Sequence, residues 1–486
     1  HLILMIRNCG RTGITLPSIS PPMDVLQRMK QKEKWPVSLS VLLWMRSHQK
    51  KHFQVLKIVG LFSKAWNPAQ IIFSGSSIIF FMFWLPEDQL RKIHWVIIHL
   101  KVTDKEKDSI QLGIDYSSGF EGMIPMLNDS LPDSFGNKVF LEWLNSTDID
   151  KSELNPVERL LYVGQRGMGA LEYEVGHDIP MLSSDININE LADISDKILK
   201  GKLDADAVET GHALRNILSY GSSAVGGAQA KVLLAEVNEG RFLPGDILHK
   251  DVDDYYVVKL TTDLENPWLR EKNIVELTYN EIARSVGINV AASKLISEGE
   301  HHHFASKRFD RVGRKKIHMQ TANALSGFYE KKQAFSYENL FRIVDGLGMP
   351  YQDKEQLFKQ MVFNVAGANR DDHTKNFSFV LPIDGQWRLS KAYDVTFPTN
   401  PYESYFRAHQ ITINGKRTKI DLMDLLAVGR KVGINKPKSI VKDISAAIKS
   451  FPGKAKANDI SNETISRISD ELKTTLSLIN DRGISK

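Results

Sequence analysis

The chain has 486 residues, of which 42% are hydrophobic and 25% charged, with a formal net charge of +5. This composition excludes a disordered or fibrous protein, and the length sets a prior of roughly three domains with room for a large core. A single cysteine, Cys9, excludes a disulfide framework and a cysteine zinc cage. The mild basicity permits contact with nucleic acid or an acidic partner without demanding it.

Residues 1–100 carry Trp, Met and Lys in no readable period, and no element is predicted there. Residues 71–85 (IIFSGSSIIFFMFWL) are apolar but fall short of the about 20 residues a spanning helix requires. Pro86, Glu87 and Asp88 end the run, so a buried segment is expected, with no membrane contact and a cytoplasmic location. Gly, Pro, Asp and Ser over residues 119–136 predict turns. Asn155-Pro156, with Glu158 in the first turn, predicts a capped helix start. Residues 185–218 show helical spacing.

A second region opens near Ser219. Residues 231–237 and 255–260 read as strands, Ile274, Leu277 and Ile282 as a helix, and residues 304–309 as the next strand. The tract His301-His302-His303 has the composition of a metal-binding run, but it is expected in an exposed loop before that strand. Residues 357–366 predict another helix. Residues 377–381 and 387–389 flank Asp384-Gly385, a hairpin signal. Two amphipathic helices close the chain, one carrying Ile440, Val441, Ile444, Ala447 and Ile448, the other Ile465, Ile468, Leu472, Leu476 and Ile479. Residues 451–453 (FPG) are expected to separate them.

The sharpest chemical signal is residues 369–376, NRDDHTKN, followed by the hairpin and then Tyr393-Asp394. Phosphoryl transfer needs a carboxylate to accept the proton of the attacking hydroxyl, and oxygen ligands to hold magnesium on the phosphates. A D-x-H-x-x-N loop supplies Asp371 as base and Asn376 as one ligand, and Asp394 after the hairpin supplies a second. His373 would brace the loop and Lys375 would contact the transferred phosphate. The bland alternative is an ordinary polar turn; the placement of Asp394 downstream weighs against it. A glycine-rich stretch, residues 221–231 (GSSAVGGAQAK) with Gly226, Gly227, Ala228 and Gln229 before Lys231, allows backbone amides close to phosphates, although it is not a Walker loop and equally fits a linker. Lys259 sits in an apolar strand, where a lysine is costly without a partner. Glu276 on the next helix is the candidate partner; an edge lysine facing water is the alternative.

Together these residues resemble the HipA-type kinase family over roughly residues 118–450. The matching blocks are 131–137 (LPDSFGN), 161–173 (LYVGQRGMGALEY), 226–231 (GGAQAK), Lys259, 303–311 (HFASKRFDR), 371–376 (DDHTKN), Tyr393-Asp394 and 409–416 (HQITINGK). The resemblance implies an α+β, two-lobed protein-kinase-like fold. Its parts would be a divergent segment over 1–100, a small N-terminal subdomain over 101–218, an ATP-binding region over 219–325 and a helical lobe with the catalytic and metal loops over 326–486. It implies ATP and Mg2+ as cofactors, with Gly226, Gly227, Ala228, Gln229, Lys231, Lys259 and Glu276 around the nucleotide and backbone groups of Lys307 and Phe309 on the adenine. It further implies a toxin that phosphorylates Ser or Thr of a protein substrate, arrests growth, and is neutralised by a HipB-like helix-turn-helix antitoxin whose complex binds operator DNA. Family members switch off by phosphorylating a serine in the glycine-rich loop. Here Ala224 occupies the usual position, so Ser223, then Ser222, are the candidates. Two other readings stay open: a catalytically silent co-repressor, and a kinase for a lipid or small molecule.

Overall fold

In the computed structural model, residues 125–132, 134–145, 156–174, 187–202, 217, 229–238, 241–249, 252, 254–313, 315–327, 335–382, 385–398 and 404–480 are described, together with the backbone of four strands nearer the start. Those strands are β1 (Leu2–Asn8), β2 (Val37–Arg46), β3 (Phe53–Phe62) and β4 (Ser77–Ile79). With β5 (Glu172–Glu174) they form a sheet in the order β4-β1-β2-β3-β5, parallel only between β1 and β2. The sequence pattern predicts no element before residue 100, and the structure differs. β2 and β3 read VSLSVLLWMR and FQVLKIVGLF, near-continuous apolar runs rather than the clean alternation that marks a half-exposed strand. The apolar run 71–85 lies mostly outside the described residues. Among the described residues no helix is long and apolar enough to cross a membrane.

Among the described residues the first helices are α1 (Pro125–Asn128), α2 (Ser134–Asn145), α3 (Pro156–Val163) and α4 (Ile188–Leu199). An all-antiparallel sheet follows in the order β7-β6-β8-β10-β9, from β6 (Lys231–Asn238), β7 (Arg241–Pro244), β8 (Asp254–Lys259), β9 (Ser293–Glu298) and β10 (His301–Lys307). Val232, Leu234, Val258 and Ala305 on one face pack against Phe135 and Val139 of α2 and Leu191 and Ala192 of α4. The chain crosses from β8 to β9 through α5 (Pro267–Ser285). Asn266 caps α5 by accepting from the amides of Trp268 and Leu269, and Pro267 sits where its missing N–H costs nothing.

The histidine tract is not a loop: all three residues lie in β10, and His303 is buried. Its Nδ1 accepts from the amide of Thr261 at 3.0 Å and its Nε2 lies 3.0 Å from Asn189 Oδ1, so it joins the sheet to α4. Burial, then the neighbouring His301 and His302, push it down to about 3, which keeps it neutral and able to accept.

Beyond β10 come the short pair β11 (Arg311–Val312) and β12 (Lys315–Lys316), then β13 (His318–Thr321), β14 (Ser378–Leu381) and β15 (Arg388–Leu389) in a three-stranded sheet. The β14–β15 hairpin is the one marked by Asp384-Gly385, and Gly385 has a φ of 73°, the left-handed conformation such turns require. The helical lobe holds α6 (Ala322–Ser326), α7 (Tyr337–Gly346), α8 (Tyr351–Ala366), α9 (Leu422–Lys431), α10 (Pro437–Ile448), α11 (Phe451–Ala457) and α12 (Asn462–Ile479). The stretch expected to separate the last two helices is itself α11. Pro452 fits a first helical turn, and Phe451 is fully buried with its ring 5.5 Å from Tyr279 of α5. Tyr279 also meets Phe363 of α8 at 6.2 Å, so one aromatic cluster anchors α5 to the helical lobe.

Two matching blocks far apart in sequence meet at Asp310. Arg308 grips its carboxylate at 2.9 and 2.8 Å, Arg311 donates at 2.8 Å, and the amide of Gly169 donates at 2.7 Å. The two guanidiniums also donate to the carbonyls of Gly167, Gly169 and Gly245. All three charged side chains are buried, and the arginines hold Asp310 well below the usual carboxylate range despite its burial. Residues 164–171 are thereby locked to the end of β10.

Candidate active site

Lys259 ends β8 and lies in register with Lys231, the first residue of β6. Both are buried. The Lys259 ammonium donates to both oxygens of Glu276 at 2.6 Å and reaches Asp394 Oδ1 at 2.5 Å, while Lys231 lies 3.8 Å from Asp394 Oδ2. Asn273, one turn before Glu276 on α5, sets this geometry. Its amide nitrogen donates to the carbonyls of Lys259 and His302 and to Thr261 Oγ1 at 3.0–3.1 Å, and its oxygen accepts from Gln229. One buried side chain thus bolts α5 to two strands and to the end of the glycine-rich stretch. Burial alone would lower Lys259, but Asp394 and Glu276 more than offset it and hold the ammonium above the ordinary lysine range. Burial would likewise raise Asp394, yet Lys231 and Lys259 hold it well below the usual carboxylate range.

The loop after α8 begins with Ala368 in the left-handed region, φ 52°. A non-glycine residue there costs energy and persists because the surroundings over-determine it. Asn369 follows, donating to Asn364 Oδ1 at 3.0 Å and to the carbonyl of Asp394 at 3.2 Å, which ties this loop to the one carrying Asp394. Asp394 is itself left-handed, φ 52°. Asp371 has one buried oxygen, Oδ1, with no hydrogen-bond partner. The Nε2 of His373 lies 3.8 Å away, beyond hydrogen-bond reach. Burial first, then Asp394, raise its pKa, with His373 opposing. His373 caps a 3-10 turn, Thr374–Asn376, by accepting from the amide of Lys375. Asn376 donates through Nδ2 to the carbonyl of Asp371 at 2.7 Å, which leaves its amide oxygen as the donor atom on offer. Asn369, Asp371, Asn376 and Asp394 line one cavity. Its donor set, two carboxylates and amide oxygens with a buried acceptor unsatisfied, suits a small hard cation.

The remaining expected residues are placed as follows. Gln229 is at the site. Gly226, Gly227, Ala228, Ser222 and Ser223 lie outside the described residues. Lys375 is exposed on the 3-10 turn, and its carbonyl accepts from Tyr393 at 2.6 Å. The amide of Lys307 already donates to Ala292 at 2.7 Å, and its side chain pairs with Asp254, so that amide is not open to a base. The ring of Phe309 stacks on Tyr393 with centroids 5.8 Å apart, which couples the end of β10 to the Asp394 loop.

Sequence reading missed Asp372. It is fully enclosed, accepting from Tyr337 at 2.9 Å, from the Gln410 amide at 2.8 Å and lying 2.7 Å from His409 Nδ1. The Asp371-Asp372 doublet was the available signal: of two adjacent carboxylates, Asp372 is spent on partners in the core while Asp371 keeps an acceptor unmade. Lys272 was missed too, one helical turn before Glu276. Burial, then Lys259, lower it to about 8.

A profile of the HipA-like C-terminal domain matches residues 223–451, and one of the HipA N-terminal domain matches residues 98–174, together more than half of the chain. The chain belongs to the HipA family. Every site residue described above lies within the C-terminal HipA match, and the N-terminal match ends with β5. Among solved structures, the chain is similar to HipA in the complex described as Shewanella oneidensis MR-1 toxin–antitoxin system HipA, HipB and operator DNA. That match has a TM-score of 0.52 at 18% identity over 73% of this chain and 83% of the other, a likeness of fold. Two curated relatives are named as kinases: the "Putative kinase" of Haemophilus influenzae, 26% identical over 32% of this chain, and "Putative kinase Y4dM" of Sinorhizobium fredii, 28% identical over 26%. The chain spans 48% and 34% of their lengths.

Proposed function

We propose that this HipA family member is a kinase that transfers the γ-phosphoryl group of ATP to a serine or threonine of a protein. The observation that carries the reading is Asp371 Oδ1: a buried acceptor with no partner, in the cavity it shares with Asn376 and Asp394 and beside a lysine held by two carboxylates. Buried acceptors are rarely left unmade, and a substrate hydroxyl is the natural donor. Lys231 and Lys259 bind the phosphates. Asn376 and Asp394 would hold Mg2+, which when bound would neutralise charge building on the phosphate oxygens. The phosphate-oxygen contacts take Lys259 away from Asp394 while Glu276 keeps the ammonium aligned. The substrate hydroxyl attacks the γ-phosphorus, the bond to the β–γ bridging oxygen breaks, ADP leaves, and the hydroxyl proton passes to Asp371. The raised pKa of Asp371 makes it a stronger base than a solvated aspartate. Adenine stacks near Phe309 and takes its amide, since that of Lys307 is engaged.

The wider role follows the family: growth arrest by a cytoplasmic toxin, neutralised by a HipB-like helix-turn-helix antitoxin that carries the complex to operator DNA, and self-inactivation by phosphorylation of Ser223, or else Ser222. The Shewanella structure, described as a complex with HipB and operator DNA, supports the partnership. The test is phosphosite mass spectrometry after induction in cells, with radiolabel transfer from ATP in vitro. Asp371→Asn should lower transfer about 10²–10⁴-fold while nucleotide binding persists. Wild-type protein that binds Mg·ATP and transfers nothing refutes the reading.

A further inference from the structure

Beside the catalytic loop lies a second cavity, of about 200 Å3, with no role in the chemistry above. Four cations line it: Arg370, Arg407, Arg417 and Lys419. Its floor is apolar and includes buried Ile420 and Leu478, which is 39% exposed and one of few large apolar side chains left to water among the described residues.

The cations are incompletely neutralised. Arg370 pairs with Glu471 of α12. Arg417 donates to the carbonyl of His409 and to Gln410 Oε1, neither of them charged. Arg407 and Lys419 are exposed and have no carboxylate partner among the described residues. Lys419 has a φ of 51°, so this cation sits on a strained turn that the surrounding structure holds in place.

The cavity is physically joined to the base. Arg370 immediately precedes Asp371. The segment from Arg407 to Ile420 that forms the opposite wall is bonded to the catalytic loop through His409 and Gln410, both of which hold Asp372. Gln410 also donates to the carbonyl of Arg370. The cavity wall and the catalytic loop are therefore held together by hydrogen bonds on both sides of Asp371 in the chain, at Arg370 and Asp372.

We infer that this cavity docks an acidic segment of the protein substrate, with one apolar side chain over Ile420 and Leu478 and flanking carboxylates against Arg407, Arg417 and Lys419. Charge complementarity selects the acidic peptide, and the apolar floor favours a side chain over a bare sugar–phosphate backbone. The identity of the partner as substrate rests on the kinase reading; the acidic-peptide site does not. A fluorescein-labelled peptide of Glu and Leu around a central serine, followed by anisotropy against the full chain without nucleotide, tests it. Wild type should bind, more weakly as salt rises. Arg407→Gln/Lys419→Asn, chosen because both side chains are exposed and Asn tolerates a positive φ, should bind about tenfold more weakly with an unchanged unfolding midpoint. A Lys-for-Glu control peptide should not bind. Equal affinity of wild type and variant, salt-independent binding, or duplex DNA binding with the same variant sensitivity in place of the peptide overturns the inference. Loss of transfer in the kinase assay with peptide binding intact would instead count against the catalytic reading alone.

Discussion

Glu276→Gln probes how one ammonium serves two carboxylates. In the structure Lys259 donates to both Glu276 oxygens at 2.6 Å and to Asp394 at 2.5 Å. Breaking an isolated buried ion pair costs about 3–5 kcal/mol because a charge is left alone. Here Asp394 remains on the ammonium, so unfolding without nucleotide should report a loss nearer a single charged hydrogen bond, about 1.5–3 kcal/mol. Catalysis should suffer separately. With Glu276 neutral, Lys259 clings to Asp394, the carboxylate proposed for the metal. If half of the lost interaction tightens that contact, about 0.75–1.5 kcal/mol, roughly four- to tenfold more Mg2+ is needed to free it. The assay pairs urea unfolding of the nucleotide-free protein with a magnesium titration of phosphoryl transfer at saturating ATP. A loss above about 4 kcal/mol with an unchanged magnesium midpoint would show that Asp394 neither shares the lysine nor binds the metal, and would refute the reasoning.

Asp371 should give the acid limb of the pH–rate profile. Burial raises its pKa, so transfer should rise with pH through a value above the ordinary aspartate figure of about 3.9, and Asp371→Asn should remove that limb along with the activity. Lys272, lowered to about 8, should take up a proton when phosphates arrive. ATP affinity should then weaken as pH rises through about 8, with a buffer-dependent binding enthalpy in calorimetry that Lys272→Met abolishes. Asp310→Ala should cost about 3–5 kcal/mol in denaturant unfolding by leaving Arg308 and Arg311 buried without their counter-ion. Because the Asp310 pKa is depressed on folding, its contribution is present above the unfolded value near 3.9 and fades as pH falls towards its folded pKa. A variant whose stability matches wild type at neutral pH would show that the Asp310 network does not hold residues 164–171 to the sheet.

What the sequence determined by itself is local. The apolar runs that became β6 and β8, the start of α3 at Pro156, the Asp384-Gly385 hairpin and the faces of α10 and α12 follow from neighbours within a few residues, where periodicity and turn chemistry act. The spacing of Asp371, Asn376 and Asp394 was readable for the same reason, since a 3-10 turn and a hairpin are short-range objects. Tertiary structure decided the rest. Which of Asp371 and Asp372 keeps an open acceptor depends on Tyr337, His409 and Gln410, brought together from distant segments. Placement of the histidine tract in β10 depends on Thr261 and Asn189, and the joining of β5 to β3 depends on pairing across more than a hundred residues. The basic cavity has no sequence signature at all: its four cations come from two segments, Arg370 and the stretch from Arg407 to Lys419, that only folding makes neighbours. Long-range pairing of this kind is governed by burial and charge compensation summed over the whole chain, and no window of sequence carries that sum.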